Sequence, residues 1–271
     1  VHDDGVCLLA LAVHPDPAVA FVLAANRDEA HDRPTRAAHR WEDAPRVVGG
    51  RDLRAGGAWL GVRDDGRFAA ITNVRDPAAR REGASRGEIV RDYLVGDEPT
   101  EAFCARLAAV AGRYPSFNLI LGDARGAFYV NEISAAPTPL GRGVHALSNA
   151  RLDVPWPKVT RIRDALAAAV IPAPAVDEEA LFAALADERR AADDELPSTG
   201  VPLEWERVLS SPFIRGVAYG TRASTVAVIR RDGPITLEER SFGPDGVALG
   251  RVRLVVAHRL GQAARAPLVA R

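Results

Sequence analysis

The stretch Ala24–Pro34, AANRDEAHDRP, sets four adjacent hydrogen-bonding side chains, Asn26, Arg27, Asp28 and Glu29, at the end of the apolar run AFVLAA. Charges at the end of a buried strand are costly unless they are paired or used. The pattern therefore asks for other polar groups to converge here. Cys7 opens an apolar run, Asn73 closes AAITN, Asn149 closes ALSN, and Arg222 begins a β-rich run. All lie where strands are expected to end, and loops at such ends gather side chains around an opening. A cysteine attacks as the thiolate, and its free pKa of about 8.5 needs lowering or a base near neutral pH. Of the six histidines only His31 and His145 lie near these segments, and neither forms a recognisable triad. A cysteine at a chain terminus has another base, its own α-amine, with a pKa of about 7.7–8.0. On that scheme Asp28 holds the amine, Arg27 or Arg222 favours the thiolate, and an Asn side chain binds the oxyanion.

Each candidate also has an ordinary reading. Cys7 suits a small core position, Asn149 a strand end or Asx turn, and Arg222 an ion pair. Trp156, between Pro155 and Pro157, is either a packed corner or a ligand platform. Strand alternation puts Asn26 and Asp28 on one face and Arg27 on the other, so Arg27 and Asp28 share Cys7 only across a bulge or turn. Asn26, Asn73 and Trp156 are the candidate substrate-binding residues.

The elements that must position these groups alternate between strands and helices. Cys7–Val13 and Ala20–Ala25 read as a buried hairpin around HPDPAV, and Ala58–Val62 with Arg67–Val74 as a second around an Asp-Gly turn. Ser85–Leu94 and Thr100–Ala111 are helical by period, with Ser85 and Glu88 at capping-box spacing. Phe117–Gly122, Ala127–Glu132 and Gly143–Asn149 are strands, and Pro157–Val170 and Asp177–Asp187 helices. The glycine-rich Arg46–Gly57 lacks the order of a phosphate loop, and Leu196–Ser211 reads as irregular. Strands return at Thr221–Arg230, Thr236–Phe242 and Arg251–Ala257, and residues 259–271 read as a frayed tail. This order predicts an α+β fold with mainly antiparallel strands. Strands apolar on both faces require cover on both sides, which an αββα sandwich provides.

Composition bounds the rest. The 271 residues are 47% hydrophobic and 26% charged, enough for one sizeable core and read as a single domain. Thirty-five basic and 36 acidic residues, well mixed, give a net charge of −1 and no sign of a nucleic-acid partner. The apolar runs are too short for membrane insertion, and the acidic VHDDGV is unlike a signal peptide. A cytoplasmic protein is expected. Two distant cysteines, Cys7 and Cys104, form neither a disulfide framework nor a metal set, and CxxCH is absent, so neither metal nor cofactor is expected.

The segments CLLALAVHPDPAVAFVLAANRDEAHDRPT, GRDLRAGGAWLGV, GRFAAITNVRDP, SRGEIVRDYL, LSNARLDVPWPKV and LPSTGVPLEWERVLSSPFI–YGTRASTV resemble, in this order, the NRDE family, also called the transport and Golgi organisation 2 family. The likeness runs from about Val6 to Phe242. It implies links to haem trafficking and acyl-lipid metabolism, and similarity to N-terminal-nucleophile hydrolases of the penicillin V acylase and bile-salt hydrolase type. Carried over from those enzymes, the catalytic set is Cys7, Arg27, Asp28, Asn149 and Arg222, with a backbone donor near Asn73-Val74. The resemblance thus implies a cysteine hydrolase acting on a non-peptide amide or related acyl bond. The alternative is a non-catalytic carrier of haem or an acyl lipid in the same cavity. The hydrolase needs Cys7 to be terminal. The chain contains no methionine, and the expectation is a start at Val6, with residues 1–6 a removed or non-native leader.

Overall fold

A computed structural model describes residues 7–133, 137–170 and 175–258. The expected leader and the tail from residue 259 lie outside these residues. The chain opens with β1 (Cys7–Asp16) and β2 (Val19–Ala30), then β3 (Thr35–Arg40), β4 (Val47–Asp52), β5 (Leu60–Arg63) and β6 (Phe68–Asn73). Helices α1 (Gly87–Val95) and α2 (Thr100–Val110) precede β7 (Phe117–Asp123), β8 (Gly126–Asn131), β9 (Thr138–Leu140) and β10 (Gly143–Leu147). Helices α3 (Pro157–Val170), α4 (Glu178–Leu185) and α5 (Leu203–Leu209) lead to β11 (Tyr219–Arg230), β12 (Ile235–Phe242) and β13 (Ala248–Val256).

The strands form two antiparallel sheets, one in the order β10-β1-β2-β11-β12-β13 and the other running β3 to β9 in sequence. Alternation along β1 and β2 explains the layering. Leu9, Leu11, Phe21 and Leu23 face the second sheet, where they meet Val62, Phe68, Ala70 and Ile120. Leu8, Ala10, Val22 and Ala24 face Val159, Ile162 and Leu166 of α3 and Leu181 and Phe182 of α4. On the far side, α1 and α2 cover the second sheet through Ile89, Tyr93, Leu94 and Phe103. The layers are helix, sheet, sheet, helix, as the two-faced apolar strands require. No helix among the described residues is long and apolar enough to cross a membrane.

Four local expectations are corrected. β3 and β4 form in a stretch to which the sequence pattern assigns no strand. Gly49 in β4 is glycine because a Cβ there would lie 2.6 Å from the Leu60 carbonyl oxygen of β5. The short β9 carries too little pattern to be seen. α5 lies inside the segment read as irregular. The Ser85–Glu88 capping box does not form, because α1 begins at Gly87 with Arg86 at its cap and without a side-chain cap bond.

Candidate functional site

The NRDE residues do not end the strand; they are inside it. β2 continues to Ala30, and Asn26, Arg27, Asp28 and Glu29 are 1%, 4%, 0% and 8% exposed. The strand end expected after Ala25 is instead a buried polar continuation of β2. Cys7 pairs with Arg27 across β1 and β2, and Asp28 pairs with Thr221 of β11. The bulge expected beside Arg27 and Asp28 lies on the neighbouring strand. The β2–β11 register shifts between Thr221 and Ala223, leaving Arg222 as the extra residue.

Arg27 projects between the sheets. Its guanidinium accompanies Glu29 and Asp52 at 3.6 and 3.8 Å, donates to Thr35 Oγ1 at 2.9 Å, and lies 4.5 Å over the Trp59 ring. Arg33 completes the network, with Nε 2.7 Å from Asp52 Oδ2. Burial alone would raise the Asp52 carboxyl, but the Arg33 bond and charge outweigh it and hold it below the ordinary range. On the opposite face Asn26 donates both amide hydrogens, to Leu185 O at 2.8 Å and Pro212 O at 2.9 Å, and accepts from Ser224 Oγ at 2.6 Å. Asn26 is therefore a strut between sheet and helices. It keeps no donor for a substrate.

Where β1 begins, a cavity of about 470 Å³ opens, lined by Cys7, Arg27, Asp28, Trp59 and Asn73, with Ser85, Arg86 and Gly87 from the start of α1 on its wall. Asn149 stands behind Asn73, its amide donating to the Asn73 carbonyl at 3.1 Å and to Asn73 Oδ1. Ser148 Oγ lies 2.8 Å from the Cys7 carbonyl and 2.9 Å from Asn149 Oδ1. The structure thus brings Cys7, Arg27, Asp28 and Asn73 to one cavity, with Asn149 in contact from the rear. Asn73 Nδ2 is buried without a hydrogen-bond partner.

Arg222 and Trp156 lie elsewhere. Arg222 does not line the cavity; its Nη1 donates to Ala30 O at 2.7 Å and Arg33 O at 3.1 Å, fastening the turn after β2. Trp156 lines a second cavity of about 640 Å³ on the far side of Asn149, with Arg75 4.8 Å over its ring. Neither candidate lines the Cys7 cavity, the first because its fork grips backbone carbonyls.

Sequence reasoning missed Lys158. This lysine of α3 is 1% exposed, and its Nζ has no hydrogen-bond partner. The signal was available: Lys158, Ile162 and Leu166 recur at helical spacing on one buried stripe. Asp28 has one oxygen bound by Thr221 Oγ1 at 2.6 Å and the other, Oδ2, unpartnered. Burial raises the Asp28 carboxyl, against the pull of Lys158, and burial lowers the Lys158 ammonium, against the pull of Asp28. The Cys7 thiol is pushed up to about 12 by burial and the Asp28 charge, opposed by the Asp28 N–H and Arg27. Among the described residues no cluster of three or more His, Cys, Asp and Glu side chains is placed to hold a metal ion.

Residues 6–244 match the family described as Transport and Golgi organisation 2. The chain belongs to that family. Among its Transport and Golgi organisation relatives, the Bos taurus Transport and Golgi organization protein 2 homolog is 33% identical over 259 residues, covering 88% of this chain and 93% of the relative. The Homo sapiens homolog is 30% identical over 257 residues, with the same coverages. Transport and Golgi organization protein 2 of Drosophila melanogaster is 29% identical over 249 residues, 83% of this chain and 87% of that one. In fold, this family member is similar to a mutant conjugated bile acid hydrolase from Clostridium perfringens, with TM-score 0.51, 10% identity and 92% coverage of both chains. That likeness concerns architecture alone.

Proposed function

We propose that the chain is an N-terminal-nucleophile cysteine hydrolase that cleaves a non-peptide amide or a related acyl bond, with Cys7 as nucleophile. The observation that carries this reading is the opening of Cys7, at the start of β1, onto a cavity shared with Arg27, Asp28 and Asn73. The fold likeness to a hydrolase of conjugated bile acids supports the same class. In the mature enzyme Cys7 is the first residue and its α-amine is the base. The amine takes the thiol proton, and the sulfur attacks the acyl carbon to form a C–S bond. The oxyanion accepts from Asn73 Nδ2, whose oxygen is held by Asn149. The C–N bond then breaks and the leaving nitrogen takes the ammonium proton. Water, deprotonated by the amine, attacks the thioester; the C–S bond breaks and the thiol is restored.

The rival reading, a carrier of haem or an acyl lipid, asks for an apolar chamber. The Cys7 cavity is instead walled by Arg27, Asp28, Glu29, Arg33, Asp52 and Asn73 among others, and no histidine lines it among the described residues. The test has two parts. Protein expressed from its own gene is N-terminally sequenced, and the mature form is assayed against a panel of acyl-amino-acid amides alongside Cys7→Ala. A chain beginning at Cys7, with turnover lost in the variant, is expected. Retention of the preceding residues together with no turnover of any amide would sink the hydrolase and favour the carrier.

A further inference from the structure

The second cavity, of about 640 Å³, is left unused by the chemistry at Cys7. The charged residues of its wall are Arg75, Asp76, Arg80, Glu132 and Arg151. Three of them have local work. Asp76 Oδ1 accepts from the Ala78 N–H at 2.7 Å, and Glu132 Oε2 from the Phe117 N–H at 3.1 Å. Arg80 donates to Gly112 O at 2.7 Å and to Ala111 O at 3.3 Å. Arg151 is exposed. Arg75, just after β6, differs from all of these, because its side chain is only 8% exposed. Its main chain is fixed by an N–H bond to Asn149 O at 2.8 Å. Its Nη2 lies 3.2 Å from Glu206 Oε2 of α5, and the other Glu206 oxygen accepts from the Thr199 N–H and hydroxyl at 2.8 and 2.6 Å. Nε and Nη1 are buried with no hydrogen-bond partner among the described residues. A structural ion pair therefore accounts for Nη2 alone. Buried donors without acceptors are costly, and a firmly supported guanidinium on a cavity wall is suited to receive an anion. Pro77, Val154 and Pro197 add apolar surface to the same wall, beside the half-buried ring of Trp156.

We propose that this second cavity is a binding site for a small organic carboxylate with an apolar body, anchored on Arg75. The guanidinium donates to the carboxylate, and the apolar body rests on the Trp156 ring and the neighbouring prolines. In the empty cavity the indole lies against one face of the guanidinium, 4.8 Å from Cζ to the ring centroid, and Nε and Nη1 are covered. Entry of the carboxylate therefore moves the half-buried ring. Glu206 already offsets part of the Arg75 charge, which suits a singly charged carboxylate better than a phosphate dianion. The site goes beyond the hydrolase reading and does not depend on it.

The experiment is a titration of the full 271-residue chain with cyclohexanecarboxylate, cyclohexanecarboxamide and acetate at constant ionic strength, read by tryptophan fluorescence. None of the three probes absorbs where tryptophan is excited. Cyclohexanecarboxylate is expected to give a saturable change with a Kd of about 1 mM or lower. The amide lacks the charge and acetate the apolar body, and both are expected to bind at least about tenfold more weakly. Trp156 lines this cavity and Trp59 the Cys7 cavity. The change should therefore vanish in Trp156→Phe and survive in Trp59→Phe. Arg75→Gln combined with Glu206→Gln removes the anchor without leaving a buried carboxylate unpaired, and should bind the acid and the amide alike. If that double variant misfolds, the comparison of acid with amide on the wild type decides. Four results overturn the site: equal wild-type affinity for acid and amide, acetate binding as tightly as cyclohexanecarboxylate, a signal carried by Trp59 instead, or no saturable change up to about 20 mM.

Discussion

Side chains one position apart along β2 have unrelated work, and alternation is the cause. Arg27 enters an ion-pair network between the sheets, whereas Asn26 and Asp28 turn toward the helices. Glu239 of β12 is a second buried charge between the sheets, 2% exposed. Its Oε1 accepts from the Ala38 N–H at 2.8 Å, joining the first sheet to β3. Burial pushes its carboxyl up to about 7, opposed by that N–H and by Arg27. A carboxyl raised above its unfolded value contributes fully only below that lower value, about 4.3. Its contribution is lost as pH rises through about 7. Glu239→Gln keeps the acceptor for Ala38 and does not ionise. We expect it to be more stable than wild type at pH 8 by on the order of 2 kcal/mol, with the gain gone near pH 4. Urea unfolding at the two pH values measures the difference.

At the scale of elements, the cavity lies between the end of β2 and the start of α1. Cys7 of β1 stands opposite Arg27, and Cys7, Arg27, Asp28 and Glu29 line one side of it. The start of α1 forms the facing wall, held by the Ala58 N–H to Gly87 O bond at 3.1 Å. The approach of α1 to the segment before β5 depends on two glycines. A Cβ on Gly57 would lie 2.4 Å from the Gly87 carbonyl carbon, a backbone atom that cannot swing aside. Gly57→Ala is therefore expected to push the start of α1 outward and to cost about 2 kcal/mol. Thermal unfolding followed by circular dichroism reads the loss; substitution of the unobstructed Gly126 is the matched control.

For the molecule as a whole, the sheet-to-sheet interior couples the site to stability. Phe21 of β2 and Phe68 of β6 meet across it with ring centroids 4.8 Å apart, both essentially inaccessible. The same strands carry Arg27 and Asn73 a few residues further on. Loss of the Phe68 ring opens a void between the sheets that neither can close without moving the other. Phe68→Ala is expected to cost about 3–5 kcal/mol, read as a shift of the denaturation midpoint. Because the two sheets share this core, fluorescence and far-ultraviolet circular dichroism should move together in one transition.

Much of this arrangement is written in local pattern. The apolar runs of β1 and β2, the turn between β5 and β6, and the periodicity of α1 to α4 follow from burial at spacings of 2 and 3.6 residues. The family, too, is carried by contiguous motifs, and Cys7, Arg27, Asp28 and Asn73 stand out in sequence as polar residues beside apolar runs. What those patterns do not contain is long-range register. The face on which Asn26 ends, bound to Leu185 159 positions away, is decided by packing of the helices on the first sheet. Arg222 leaves the cavity because a bulge in β11 frees its fork for two backbone carbonyls. β3 and β4 are strands only because neighbours across the second sheet complete their hydrogen bonds. Lys158 looks like one more surface lysine until α3 packs on β1 and buries it. Local sequence fixes which side chains a strand or helix must bury, through the geometry of its own repeat. Only the closed sandwich, where separate elements share one low-dielectric interior, decides which buried charges meet.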